Sequence, residues 1–386
     1  MLKRTVGLVL AGILSLGLWS GCGQNDVQVE VKGIEGRQVR LRVKSKIHTN
    51  FNAVVSEGLT FPEVKEGDYV ATIVTNTYLE QKTVTVCGKP FRGIKMHTIC
   101  FDVPADRQMV PKGTIVFASD REGPRNWEIY AIRADGSGLT NITCTEGSDT
   151  DPVWSPDGAK IAFVTNRDGI TNREIYVMDA DGSNQTRLTE NEAFDCSPTW
   201  SPDGSKIAFS SQRTGSDQIF VMNADGSNPV LISDGAASDR SPAWSPDGSK
   251  IVFVSDRYGN DRKGNDDIFV MDADGSKNVV RLTEVMEYDL NPNWSHDGRF
   301  LLFSSSRDGA QDVFIMKSDG ALQTRLTLTE DFYEWESVWS PDDLGFAFAG
   351  GKGRNYDIYL MDRTGRNRVN LTNDAHQNRH PSWRPF

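Results

Sequence analysis

Between residues 154 and 383 the chain repeats one pattern six times: a tryptophan, followed in three copies by Ser-Pro-Asp-Gly and in the others by variants of it. The tryptophans are Trp154, Trp200, Trp244, Trp294, Trp339 and Trp383, spaced 44 to 50 residues apart. A period of that length means one supersecondary unit copied around a ring or along a solenoid. It also moves the functional question away from a single catalytic motif and toward a surface built by repetition.

Each copy carries three further elements. An apolar strand comes first, as in Ile161-Ala-Phe163 and Ile207-Ala-Phe209. A second strand follows, as in Glu174-Ile-Tyr176 and Asp267-Ile-Phe269, and then an Asp-Gly turn such as Asp181-Gly182. A short strand ending near Leu-Thr, as in Leu188-Thr189, completes the unit. Four short antiparallel strands make one propeller blade. The first copy opens at Gly113 without a tryptophan strand, while His380-Pro-Ser-Trp-Arg-Pro-Phe386 is such a strand without a copy to follow it. The predicted fold is therefore all-β: a six-bladed β-propeller over 113–386, closed by the C-terminal strand. Closure removes the exposed sheet edges of an open array.

Residues 27–112 lack the repeat. Alternating β-branched runs such as Gln38-Val-Arg-Leu-Arg-Val43 and Lys82-Thr-Val-Thr-Val86, with glycines between them, predict a small antiparallel β-sandwich domain. Pro104 to Lys112 reads as the linker. At the amino terminus, Lys3 and Arg4 precede an apolar stretch from Val6 to Trp19 and then Ser20-Gly21-Cys22, the layout of an export signal over 1–22. The segment resembles the bacterial lipoprotein lipobox, with Trp19 standing where that pattern has Leu. The resemblance implies lipidation at Cys22, a polar tether over 23–32 and an exported, membrane-anchored protein of the cell envelope or periplasm. Gly23 after the cysteine implies an outer-membrane destination. Export permits disulfides, and Cys87 with Cys100 is a possible pair.

The repeats resemble the TolB-type six-bladed propeller repeat, found also in the propellers of prolyl oligopeptidases and dipeptidyl peptidases. The resemblance covers 113–386 and stops there. That family's α/β amino-terminal domain has no counterpart here, so its Tol-Pal role does not carry over.

Charge and motif content narrow the function classes. A formal charge of -11 with no basic stripe argues against nucleic acid. No Cys/His spacing suggests a metal, and Asp-Ala-Asp-Gly at 179–182 and 272–275 lacks the later Glu of a calcium loop. These read as turns. Arg121, Arg167, Arg213, Arg257, Arg307 and Lys352 follow the second strand of each blade. Glu128, Glu174, Gln218, Asp267, Asp312 and Asp357 open the next one, and the two columns are expected to pair within blades.

A third column stands five residues before each tryptophan: Asp149, Asp195, Asp239, Asp289, Glu334 and Asn378. On innermost strands it would ring one mouth of the central channel. Carboxylates about 8 Å apart repel by roughly 2 kcal/mol per pair at an effective dielectric near 20. Such a ring would hold a cation or attract a basic segment; alternatively, each Asp caps its own loop.

Loop variation and aromatics, including Trp127, Tyr258 and Trp335 and the insertion from Tyr258 to Asp266, gather on that same face. These residues and the acidic column are the candidate site. The leading expectation is a non-catalytic envelope platform, without a cofactor, that binds a protein, peptide or glycan at the channel mouth. The alternative is a carbohydrate- or peptide-active propeller enzyme with a channel metal near His376 and His380. No Gly-x-Ser-x-Gly elbow is present. The sequence leaves the oligomeric state open.

Overall fold

The computed structural model describes residues 112–385 apart from 124–125, 170–171, 236, 259–265, 277, 328–331 and 354, together with the backbone of seven strands between 26 and 101. The chain divides into two compact units, Met1–Gln108 and Met109–Phe386. In the first, Asp26–Gly33, Arg37–Ser45 and Ile99–Phe101 share a sheet, with hairpins at Tyr69–Thr75/Tyr78–Val86 and Lys89–Phe91/Ile94–Met96. Arg37–Ser45 pairs with Ile99–Phe101 in parallel, a departure from the all-antiparallel expectation that the long connection between them permits. The signal, Cys22, Cys87, the Cys100 side chain and most of the linker lie outside the described residues.

The second unit is six four-stranded antiparallel sheets. Blades 2 to 6 each run outward from a tryptophan strand: Asp149–Trp154, Asp195–Trp200, Asp239–Trp244, Asp289–Trp294 and Tyr333–Trp339. Blade 1 takes Thr114–Ser119, Glu128–Arg133 and Thr140–Asn141 from the start of the unit and its innermost strand, Asn378–Trp383, from the end. Trp383 lies opposite Ile115, and its indole N–H donates to the Lys112 carbonyl at 2.8 Å. The ring closes as the orphan tryptophan strand predicts.

Period-two alternation explains why the blades stack. Ile161 and Phe163 face backward, packing with Trp154 against Val116, Ala118 and Ile129 of blade 1. Ala162, between them, faces forward and meets Trp200 of blade 3. The middle position varies in size, from Ala162 and Ala208 to Val252 and Leu302, and is fully buried in each of these blades. Truncating one of these buried aromatics costs about 3 to 5 kcal/mol.

The Ser-Pro-Asp-Gly turn is equally specified. Ser155 Oγ donates to Asp157 at 2.6 Å and accepts the Lys160 amide at 2.9 Å, while Gly158 sits at φ 64, where a side chain is strained. The Asp-Ala-Asp-Gly segments are turns of the same economy: the Gly182 amide donates to the Asp179 carbonyl at 2.9 Å, with Gly182 at φ 88.

Candidate functional site

The site is built from the innermost strands, whose residues face the central channel. The column five places before each tryptophan is wholly buried: Asp149, Asp195, Asp239, Asp289, Glu334 and Asn378 are all 0% exposed. Its members do not stand as open carboxylates. Arg167 pairs with Asp149, Arg213 with Asp195 and Arg307 with Asp289 at 2.8 Å, and Arg257 with Asp239 at 3.0 Å. Arg121 donates to Asn378 at 2.9 Å. Each guanidinium also lies over two ring faces of its own blade, as Arg167 does over Phe163 and Tyr176.

This corrects the expected pairing. The arginines that follow the second strand bind the innermost-strand column, not Glu128, Glu174 and their counterparts. The latter column is tied elsewhere: Thr143 and Thr189 hydroxyls donate to Glu128 and Glu174 at 2.5 Å, and Arg187, Arg281 and Arg325 bind Glu174, Asp267 and Asp312. Burial pushes the Asp312 carboxyl up to about 6, Arg325 notwithstanding. Lys352 is corrected too, because the cation for Glu334 is Arg368, at 2.6 Å.

Two places further along lies a column that motif reading missed: Asp151, Ser197, Ser241, Asn291, Glu336 and His380. Every one has a left-handed backbone, with φ between 51 and 55. At this point the ladder shifts register, as between Thr150 and Val153 opposite Val164 and Ala162, so each innermost strand carries a β-bulge. In five copies the next residue is proline, and a small polar residue tolerates the strained geometry. A polar residue directly before proline was the available signal; strict alternation hid it.

Three members of this column differ from the rest. His380 Nε2 lies 3.0 Å from Glu336 Oε1 in blade 6 and 3.2 Å from Asp151 Oδ1 in blade 2, and Glu336 also accepts the His380 amide at 2.8 Å. Burial alone would lower the imidazole's pKa, but Asp151 and Glu336 push it up to about 9. Burial alone would raise Glu336, yet the His380 charge holds it below the ordinary carboxylate value. His380 is thus an imidazolium at neutral pH, clamped across three blades. Ser197, Ser241 and Asn291 line the other side of the hub. His376 is separate, exposed beside Asp120 at 3.8 Å.

The remaining candidates separate by exposure. Trp127 packs between blades 1 and 2. Tyr258 is 57% exposed, stacked on Phe269 and beneath Arg281. The insertion after it, 259–265, lies outside the described residues. Trp335 is partly buried and stacks on Tyr356 at 5.3 Å. Cys196 is a half-buried thiol that desolvation pushes up to about 12, which keeps it protonated and poorly nucleophilic. On the opposite face, a groove of about 580 Å³ lies between blades 3 and 4, bordered by Asp203, Lys206, Asp247 and Asp274. Asp203 and Asp247 are held down at about 2 by the Ser201 and Ser245 hydroxyls, so they serve their own turns.

Fold and hub define a closed six-bladed propeller with repeated ion pairs behind the channel wall and one asymmetric charged sector on it. The chain belongs to the TolB β-propeller family: the family model described as TolB beta propeller domain matches residues 170–234 and 241–386. No curated protein matches in sequence. The chain is similar in structure to TolB from Acinetobacter baumannii, with a TM-score of 0.62 at 20% identity over 83% of this chain and 82% of that one. It is similar to a putative TolB from Agrobacterium tumefaciens, with a TM-score of 0.55 at 20% identity over 72% and 100%. Hydrazine synthase of Kuenenia stuttgartiensis matches with a TM-score of 0.60 at 16% identity over 70% of this chain and 46% of that one. At these identities the likeness is one of fold.

Proposed function

We propose that this protein is a non-catalytic docking platform of the cell envelope, exported and lipid-anchored through Cys22, which holds a protein or peptide partner at its channel mouth. One observation carries the reading. Among the described residues, the exposed large apolar side chains away from the outermost strands are Phe194, Tyr258, Met286, Tyr288 and Tyr333; the first four lie in loops of the mouth face and Tyr333 opens the innermost strand of blade 6. The others, Leu139, Val230, Leu231, Val280 and Val369, sit in or beside outermost strands. Exposed carboxylates, Glu190, Glu192, Glu284 and Glu287, alternate with the apolar groups. Aromatic anchors with a charged surround are what a docking surface needs. The buried Asp149 column supports that face from behind its ion pairs.

The competing reading is a carbohydrate- or peptide-active enzyme with a channel metal. It finds less support: His380 Nε2 is already engaged by both neighbouring carboxylates, and no group of three or more described His, Cys, Asp or Glu is arranged as a metal site.

The test is the combined variant Phe194→Ser, Tyr288→Ser, Tyr333→Ser in the intact protein, crosslinked in its native envelope. The expected outcome is loss of the crosslinked partners with an unchanged melting temperature. Undiminished crosslinking would sink the platform reading at this face.

A further inference from the structure

Arginines at this hub come with an anion, and one does not. Arg121, Arg167, Arg213, Arg257, Arg307 and Arg368 each bind a carboxylate within 3.0 Å. Arg240, four places before Trp244, binds Asp266. Arg379 holds the same place before Trp383, yet no carboxylate among the described residues salt-bridges it. Its guanidinium carbon lies 5.0 Å from the Trp335 ring centre and 4.6 Å from that of Tyr356.

That packing has a chemical consequence. Rings cover the guanidinium face, so its in-plane N–H groups are left for an acceptor, the geometry that matches a carboxylate two-to-two. The neighbourhood is short of acceptors as well. Arg379 Nε, His380 Nδ1, Trp335 Nε1 and Ser337 Oγ, on two adjacent innermost strands, have no hydrogen-bond partner. Shielded from water and unpaired, these groups carry a cost that a ligand oxygen would relieve on reaching them as the side chains part. The charged groups nearby are Asp151 and Glu336, both turned to His380 Nε2. Two negative charges so close penalise a dianionic phosphate about twice as much as a carboxylate.

We propose that Arg379, Trp335 and His380 form a carboxylate-recognition subsite at the channel mouth, and that it receives the C-terminal carboxylate of a peptide partner. A chain end suits the place: the residues belong to channel-lining strands, behind Tyr333 and the loop that carries Tyr288, where an extended terminus reaches more easily than an acidic side chain on a folded surface. The aromatic loops would then hold the residues preceding the terminus. The assignment rests on the docking reading of this face.

The experiment uses the full-length protein and a pool of random hexapeptides made once as free acids and once as C-terminal amides. Retention at equilibrium is read by mass spectrometry. Free acids are expected to be retained at least tenfold over amides. Arg379→Gln should erase that preference, and Arg379→Lys should keep part of it, with melting curves confirming the fold. Should Arg379→Gln fail to fold, Trp335→Phe, which keeps a ring and removes the indole N–H, should lower the preference several-fold. Equal retention of acids and amides, or an acid preference that survives Arg379→Gln, overturns the subsite. Retention of a trigalacturonate probe with no retention of any peptide acid overturns the peptide assignment. Loss of native crosslinks in the Phe194/Tyr288/Tyr333 variant alongside an indifferent Arg379→Gln would remove this inference and leave the platform standing.

Discussion

Blades 2 to 5 and blade 6 solve one problem by two routes. In the regular blades the buried innermost carboxylate is met by an arginine two residues after the second strand, with a Ser or Thr such as Thr165 accepting its Nε at 3.0 Å. Blade 6 has Lys352 there and Gly350 in place of the hydroxyl residue. Its cation is Arg368, which comes from beside the outermost strand and lies over Phe332, Phe348 and Tyr359. Gly350 is needed because a Cβ there would stand 2.9 Å from the Phe332 ring. What persists between blades is the physical role, a cation clamped between rings and a buried acid. The sequence position that fills it is free to move.

The largest effect should come from removing the clamp itself. Arg167→Ala and Arg368→Ala should each cost about 3 to 5 kcal/mol in urea denaturation, since each strands a buried carboxylate. Lys352→Ala should cost under about 0.5 kcal/mol, as exposed substitutions do. Equal losses for Lys352→Ala and Arg368→Ala would erase the distinction between the blades. For the same reason Asp149→Asn, Asp195→Asn and Asp239→Asn should lower stability, which would favour a structural role for the column over an open ligand-binding ring.

Next comes the His380 clamp, which joins blade 6 to blades 1 and 2. Its folded pKa is raised from 6.5 to about 9, so its stabilisation is fully present below pH 6.5 and fades as pH rises through 9. At about 1.4 kcal/mol per unit the loss is at most roughly 3.5 kcal/mol. Glu336 has the opposite sign: its contribution is present above pH 4.5 and fades as pH falls through its depressed value. A melting profile over pH 6 to 10 should slope downward in the wild type and flatten in His380→Asn.

Gly350→Ser, which restores the regular-blade residue, should cost about 1 to 3 kcal/mol by overpacking against Phe332. Phe332→Leu in the same chain should recover part of it. Asp343→Gly should change little. It relieves a side chain at φ 55 but deletes the carboxylate that accepts the His296 and Asp297 amides at 2.9 Å. These oppose, and the net shift in melting should correspond to under about 1 kcal/mol.

The fold was legible because its determinants are local and periodic. Trp154 and its five counterparts, the Ile-Ala-Phe alternation and the unpaired strand at His380–Phe386 each point to one arrangement. The site was legible only in outline. Column reading found the buried acids and the arginines, but which column binds which depends on how two strands curl past a bulge, and residue spacing does not encode that. His380 was placed near the channel, but its pairing with Asp151 and Glu336 was hidden for a related reason: the partners are distant in sequence, and the bulge breaks the alternation that would have aligned them. Arg368 was hidden because another part of the chain had taken over the role.

The borrowed strand of blade 1 carries more than the closure. Arg379 and His380 arrive on it, and their neighbours Trp335 and Glu336 belong to the blade made just before. The first five tryptophan strands therefore complete most of the wheel but not the His380 clamp or the Arg379 sandwich. A chain clipped before Asn378 would keep five whole blades yet lose both the strand that seals the ring and the cationic side chains it carries to the hub.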